Sequence, residues 1–162
     1  LVEEACRMAR KENMKIALDL ASYNVVESNL NDFKEIVEKY VDILFANEDE
    51  AKAFTGLGPE EALRTMSGQC EIVVVKVGSD GSWIQKASEI IKIGTPEVKV
   101  KDTTGAGDLY AAGFLYGYSL NKTPGICGRY GSLLAGKVIE IVGARLDNEQ
   151  WNEIKSIIST IG

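Results

Sequence analysis

The run Asp102-Thr103-Thr104-Gly105-Ala106-Gly107-Asp108 puts residue types that could hold an anion next to one that could take a proton. Small residues opening a helix leave several backbone N–H groups unpaired and sterically open, and the macrodipole adds about half a positive charge there. Such a tip is an anion site, with phosphate its natural guest. Asp108 falls in the same first turn, where its carboxylate could accept a proton from a substrate hydroxyl. On spacing alone the run also reads as an ordinary helix start, with a capping Thr and an Asp favoured by the dipole.

Composition narrows the chemistry. The 162 residues include no histidine, which removes Ser-His and Cys-His dyads, imidazole bases and His-based zinc sites. Acid-base work falls to Asp, Glu, Lys or Tyr. With 18 Lys and Arg against 24 Asp and Glu the net charge is −6, too acidic for the cationic footprint that nucleic acid requires. Nucleic acid is not an expected partner. Cys6, Cys70 and Cys127 are odd in number and form no C-x-x-C pair, which suits unreactive free thiols in a reducing, cytoplasmic compartment. No stretch reaches the roughly 18 uncharged apolar residues of a membrane span, so no membrane partner is expected. Leu1 to Ala9 reads as a helix in mid-course, without an initiator Met or a signal-peptide pattern, as in a piece of a longer protein.

The elements that must position these residues alternate. A helical segment up to Lys11 precedes the apolar run Lys15 to Leu20, read as a strand; a helix over 32–40 and a strand over 43–46 follow. Helices are predicted from Glu48 to Phe54, ending at Gly56, and from Pro59 to Met66, with a buried parallel strand over Ile72 to Val77. Gly78 and Gly81 frame a turn before Ser82 to Lys86, and Glu89 to Ile93 continues as a β-meander. Val98 to Lys101 is strand-like. Helices are then predicted over roughly 105–120, 124–141 and 148–161. The fold class is α/β, a single domain with a mixed, mainly parallel sheet and helices on both faces.

Nine of the 16 glycines lie between Gly105 and Gly143, although a glycine costs a helix interior about 1 kcal/mol relative to Ala. Close packing explains Gly113, Gly117 and Gly136. Two familiar phosphate motifs fail here. Gly131 to Lys137 follows the first seven P-loop positions, but Val138 stands where Ser or Thr must bind Mg²⁺, and the stretch is helical. Gly105-Ala106-Gly107-Asp108-Leu109-Tyr110 ends in Tyr, not the Gly of a dinucleotide fingerprint.

The longer run Asp102 to Phe114 closely resembles the C-terminal signature of the ribokinase-like, or PfkB, family of carbohydrate and nucleoside kinases. Asn47-Glu48-Asp49-Glu50 resembles the family's N-x-x-E motif, and Lys76 to Gly81 its nucleotide-side glycine turn. The resemblance implies a three-layer αβα ribokinase-like fold without its lid, and transfer of the γ-phosphoryl of ATP to a sugar or nucleoside hydroxyl. It implies Asp108 as general base and the N–H groups of Gly105, Ala106 and Gly107 as an anion hole. Glu50 would hold Mg²⁺ through water, with Asn47 near the phosphates. Lys76, Gly78, Ser79 and Gly81 would line the nucleotide site, and Gly131 and Ser132 the adenine side. Asp102, the Thr104 carbonyl and backbone near Gly143 would hold a monovalent cation, K⁺.

The same resemblance covers only the family's C-terminal, ATP-side and catalytic half. The acceptor pocket, the small β-sheet lid and the homodimer contact that the lid often makes would belong to the other half. Turnover by this chain alone is therefore not expected. A non-catalytic nucleotide-binding or scaffold module of the same fold is the alternative, though a pure binder needs neither Asp108 nor Glu50. A hydroxymethylpyrimidine-type kinase fits less well, because that group commonly differs on the nucleophile side.

Overall fold

Apolar runs with no polar face are satisfied only where both sides are covered, and two such runs become the centre of the sheet. The computed structural model describes residues 1–161. In it β1 (Ala17–Asp19), β2 (Ile43–Asn47) and β3 (Ile72–Lys76) lie parallel, with Leu18 beside Leu44 and Leu44 beside Val73. Ile43 to Ala46 and Ile72 to Val75 are buried throughout. β4 (Ser82–Lys86) and β5 (Glu89–Ile93) complete the order β1-β2-β3-β4-β5. Two residues join β4 to β5 and five join β3 to β4, connections too short for a parallel crossover. The sheet is mixed, with the expected meander at β3 to β5.

Eight helices accompany it among the described residues: α1 (Val2–Lys11), α2 (Tyr23–Ser28), α3 (Leu30–Tyr40), α4 (Glu48–Thr55), α5 (Pro59–Ser67), α6 (Ala106–Ser119), α7 (Pro124–Ile139) and α8 (Asn148–Ile161). Their ends follow local chemistry. α4 stops at Gly56 in the left-handed conformation, α5 begins on Pro59, and the Thr123 hydroxyl accepts from the Ile126 N–H to cap α7. None is long and apolar enough to cross a membrane.

The chain packs as two compact units. Residues Leu1–Gly78 and Trp83–Ile90 form the first. Its core gathers Leu44, Val73 and Val75 from the sheet with Phe54, Leu63 and Met66 from α4 and α5. Asp42, just before β2, secures the opposite end of the strands from the expected site. It accepts from the Ile16 N–H at 2.8 Å and pairs with Arg10 at 3.1 Å and Lys15 at 3.0 Å. Burial alone would raise the Asp42 carboxyl, but the Ile16 N–H and the two cations hold it below the usual range. Burial pushes the Cys70 thiol up to about 12, and all three cysteines are free.

Ser79–Ser82 and the chain from Ile91 onward form the second unit. α6 and α7 meet there backbone to backbone. A Cβ on Gly113 would lie 2.6 Å from the Tyr130 carbonyl oxygen, and one on Gly117 3.1 Å from the Cys127 Cα. A Cβ on Gly136 would meet the Pro96 ring at 2.5 Å, so the three glycines expected to serve packing do so. Leu134, Val138, Leu146 and Ile154 form the core beneath α7 and α8.

Two expectations need correction. Val98 to Lys101 forms no strand; Val100 is exposed, and the N–H groups of Lys101 and Asp102 both turn to the Ile139 carbonyl, at 2.7 and 3.3 Å. α2, six residues long, was not anticipated.

Candidate active site

The carboxyl ends of the parallel strands in the first unit carry a polar cluster, the end of an α/β sheet where ligands bind. Asn47 closes β2 in register with Lys76, the last residue of β3. Asn47 is also the cap of α4. Its side-chain oxygen accepts from the Glu50 N–H, and its own N–H and Nδ2 donate to Glu50 Oε2 and Oε1, each at 2.8 Å. The N-x-x-E pair is thus a complete capping box, and Glu50 is 4% exposed. Burial raises the Glu50 pKa, opposed by the Asn47 N–H and the nearby Lys76 charge.

Lys76 donates to Asp19 Oδ2 at 2.8 Å, with both side chains largely covered. Asp19 ends β1, and its other oxygen accepts from the N–H of Ala21 at 3.0 Å, fixing a residue at φ 64°. Sequence reasoning missed Asp19; a carboxylate ending an apolar strand was the available signal. Gly78 follows at φ 52°, at the start of the short 3₁₀ turn Gly78–Asp80.

In the second unit the run Asp102 to Asp108 forms a braced helix start. Gly105 caps α6 at φ 78°, and a Cβ there would also lie 2.6 Å from the Ala144 Cβ, so both backbone and space demand glycine. Asp102 Oδ1 accepts from the Thr104 N–H at 2.9 Å and hydroxyl at 2.7 Å, while Oδ2 accepts from the Gly143 N–H at 2.9 Å. The Gly143 and Thr104 donors hold its carboxyl below the usual range. The Ala106 N–H donates to the Thr103 carbonyl at 3.2 Å. Among the described residues no acceptor engages the N–H groups of Gly105, Gly107 or Asp108, and no donor engages the exposed Asp108 carboxylate.

The same unit contains a cavity of about 600 Å³, walled by Gly94, Thr95 and Pro96 after β5, Arg129 and Ser132 of α7, and Ile161 of α8. The Ser132 hydroxyl donates to the Gly94 carbonyl at 2.9 Å. Gly131 lies off this wall: its missing Cβ points at the Tyr110 carbonyl, 2.8 Å away. Ser79 and Gly81 are backbone elements of the turn before β4, Ser79 accepting from the Thr95 hydroxyl at 2.9 Å.

These strands, helices and glycine turns are those of the ribokinase-like kinases. The adenosine kinase of Sinorhizobium meliloti matches with a TM-score of 0.89 at 33% identity, covering 95% of this chain and 48% of that one. The chain belongs to the pfkB family of carbohydrate kinases, whose model matches residues 1–151. An "uncharacterized sugar kinase" of Archaeoglobus fulgidus is 41% identical over 74% of this chain and 48% of its own length. The 5-dehydro-2-deoxygluconokinase of Listeria monocytogenes is 30% identical over 98% of this chain and 51% of its own. The chain therefore spans about half the length of the curated relatives it matches.

Proposed function

We propose that this chain is the nucleotide-binding and catalytic half of a kinase that moves the γ-phosphoryl group of ATP to a hydroxyl of a sugar or nucleoside. One observation carries the reading: an uncommitted Asp108 carboxylate shares the first turn of α6 with the unengaged N–H groups of Gly105 and Gly107. Phosphoryl transfer asks the protein mainly for in-line positioning and stabilisation of charge on the transferring oxygens. The Gly105 and Gly107 amides supply that stabilisation. Ala106 joins them only by giving up the Thr103 carbonyl. Asp108 takes the proton of the attacking hydroxyl.

Lys76, Gly78, Ser79, Gly81 and Ser132 serve the nucleotide, with Asn47 toward its phosphates; Gly131 acts through the α6 contact. Glu50 offers one buried carboxylate whose oxygens already hold Asn47. That donor set fits a Mg²⁺ ion that keeps most of its water and leans on phosphate oxygens, and it does not fit an all-protein cage. The ion, when bound, would neutralise charge on the phosphates. The Asp102 carboxylate, with the Thr104 carbonyl and backbone near Gly143, offers oxygen donors suited to K⁺. The complete protein is a cytoplasmic homodimer in this reading.

The test is Asp108→Asn in the complete protein. The expected result is a loss of about 10²- to 10⁴-fold in phosphoryl transfer with ATP binding retained. A rate within a few-fold of the wild type removes the general base. A non-catalytic module gains no support from Asp108, which has no structural partner among the described residues.

A further inference from the structure

Resting on the kinase reading above, we propose that Tyr110 is a positioning residue whose hydroxyl, bonded to Ser82, couples the nucleotide-side glycine turn to the helix turn bearing Asp108. The two oxygens are 2.6 Å apart across 28 residues of sequence. Tyr110 is 5% exposed and Ser82 is fully buried. Two hydroxyls removed from water to this degree must satisfy each other, because a lone buried one loses its hydration without replacement.

Each end of the bond sits on a fixed mount. Ser82 directly follows Gly81, whose φ is 91° and whose missing Cβ would lie 1.9 Å from the Ile93 carbonyl oxygen. That close pass, with the Thr95 to Ser79 bond, pins the turn to the end of β5 and the segment beyond it. On the other side, Tyr110 lies two residues after Asp108 in α6. Its ring stacks on Phe114 with centroids 6.5 Å apart and fills the space left by the absent side chain of Gly131. Burial pushes the phenol up, so its proton stays in place at neutral pH. A phenylalanine would fill the same volume. What the hydroxyl adds is a rigid link between the backbone assigned to the nucleotide and the turn assigned to the reaction. Such a link matters because a misplacement of about 1 Å at reacting groups can cost about 10²-fold in rate.

The experiment compares Tyr110→Phe, Ser82→Ala and the double variant in the complete protein. It reads kcat, KM for ATP, KM for the acceptor, and thermal unfolding. Each single change is expected to lower kcat about tenfold and raise the KM for ATP, with the acceptor KM unchanged. The double variant should be no worse than the weaker single, since one link is lost only once. A role in packing alone would lower the unfolding temperature while kcat and KM hold, and that outcome overturns the proposal, as do additive kinetic losses. If Ser82→Ala does not fold, Tyr110→Phe, which removes one oxygen, decides through kcat and KM for ATP. A wild-type protein that binds ATP without transferring phosphate overturns the kinase reading instead. The coupling is then judged by the ATP affinities of the same variants, expected to fall non-additively and refuted if they stay level.

Discussion

Glu50 holds two assignments on one side chain, and its surroundings say how to separate them. As the third residue of α4 it satisfies the Asn47 N–H and Nδ2; as a buried carboxylate it is assigned to a hydrated cation. Burial is the largest influence on its ionisation and raises its pKa. The native state therefore keeps a proton that the unfolded chain has released, in the window from the ordinary glutamate pKa up to the raised one. Stability falls as pH climbs through that window. Glu50→Gln has no proton to lose, so wild-type denaturant midpoints should decline relative to the variant as pH rises above the ordinary glutamate pKa of about 4. A wild type that gains on the variant over this range would show that the hydrogen bonds outweigh burial. The capping box follows from N-x-x-E at a helix start, whereas the metal role proposed for Glu50 rests on the family resemblance. The pairing of Asp19 was not legible: its partner Lys76 is 57 residues away, and only the assembly of the parallel strands brings them together.

At the scale of elements, the glycine excess between Gly105 and Gly143 signalled a close backbone approach, and α6 against α7 is where it occurs. A Cβ at Gly113 would press on the Tyr130 backbone, which cannot swing aside. Gly113→Ala should therefore destabilise the chain by about 1–3 kcal/mol, even though alanine is the better helix former by about 1 kcal/mol. Gly125→Ala should have the opposite sign. Its Cβ would meet only the Ile91 methyl at 3.6 Å, an ordinary contact, and a stiffer unfolded chain favours it by about 0.4–1 kcal/mol. Urea midpoints of the two variants check the pair, and a shared sign would refute the packing account. Sequence could show that glycines packed but not against what: only the structure sets Gly131 against the Tyr110 carbonyl. The alternation of Val98 to Lys101 mimics a strand because periodicity carries no record of an available sheet edge. α2 is too short for a helical period to register.

For the whole molecule, the order of parallel strands, meander and glycine-rich helices was legible because each depends on local patterning that family membership reinforces. The division of labour was legible only through the resemblance. In the proposed function Lys76 and the α6 amides address the donor nucleotide or the moving phosphoryl group, Asp108 addresses only the attacking hydroxyl, and no assigned group addresses the body of an acceptor. Curated relatives of about twice this length include a kinase named for a deoxygluconate sugar, and an adenosine kinase shares the fold at similar coverage. Under the proposed function this half serves the donor beneath each of those names, and acceptor choice lies in the other half. Lys76→Met, which removes the cation and leaves Asp19 Oδ2 without it, should raise the KM for ATP about tenfold or more in the complete protein. The ratio of kcat/KM between two acceptors should stay within about twofold, because uniform loss of donor binding does not discriminate between acceptors. Measuring both acceptors at saturating and subsaturating ATP makes the separation visible. A reversal of acceptor preference by Lys76→Met would place substrate selection in this half and break the proposed partition.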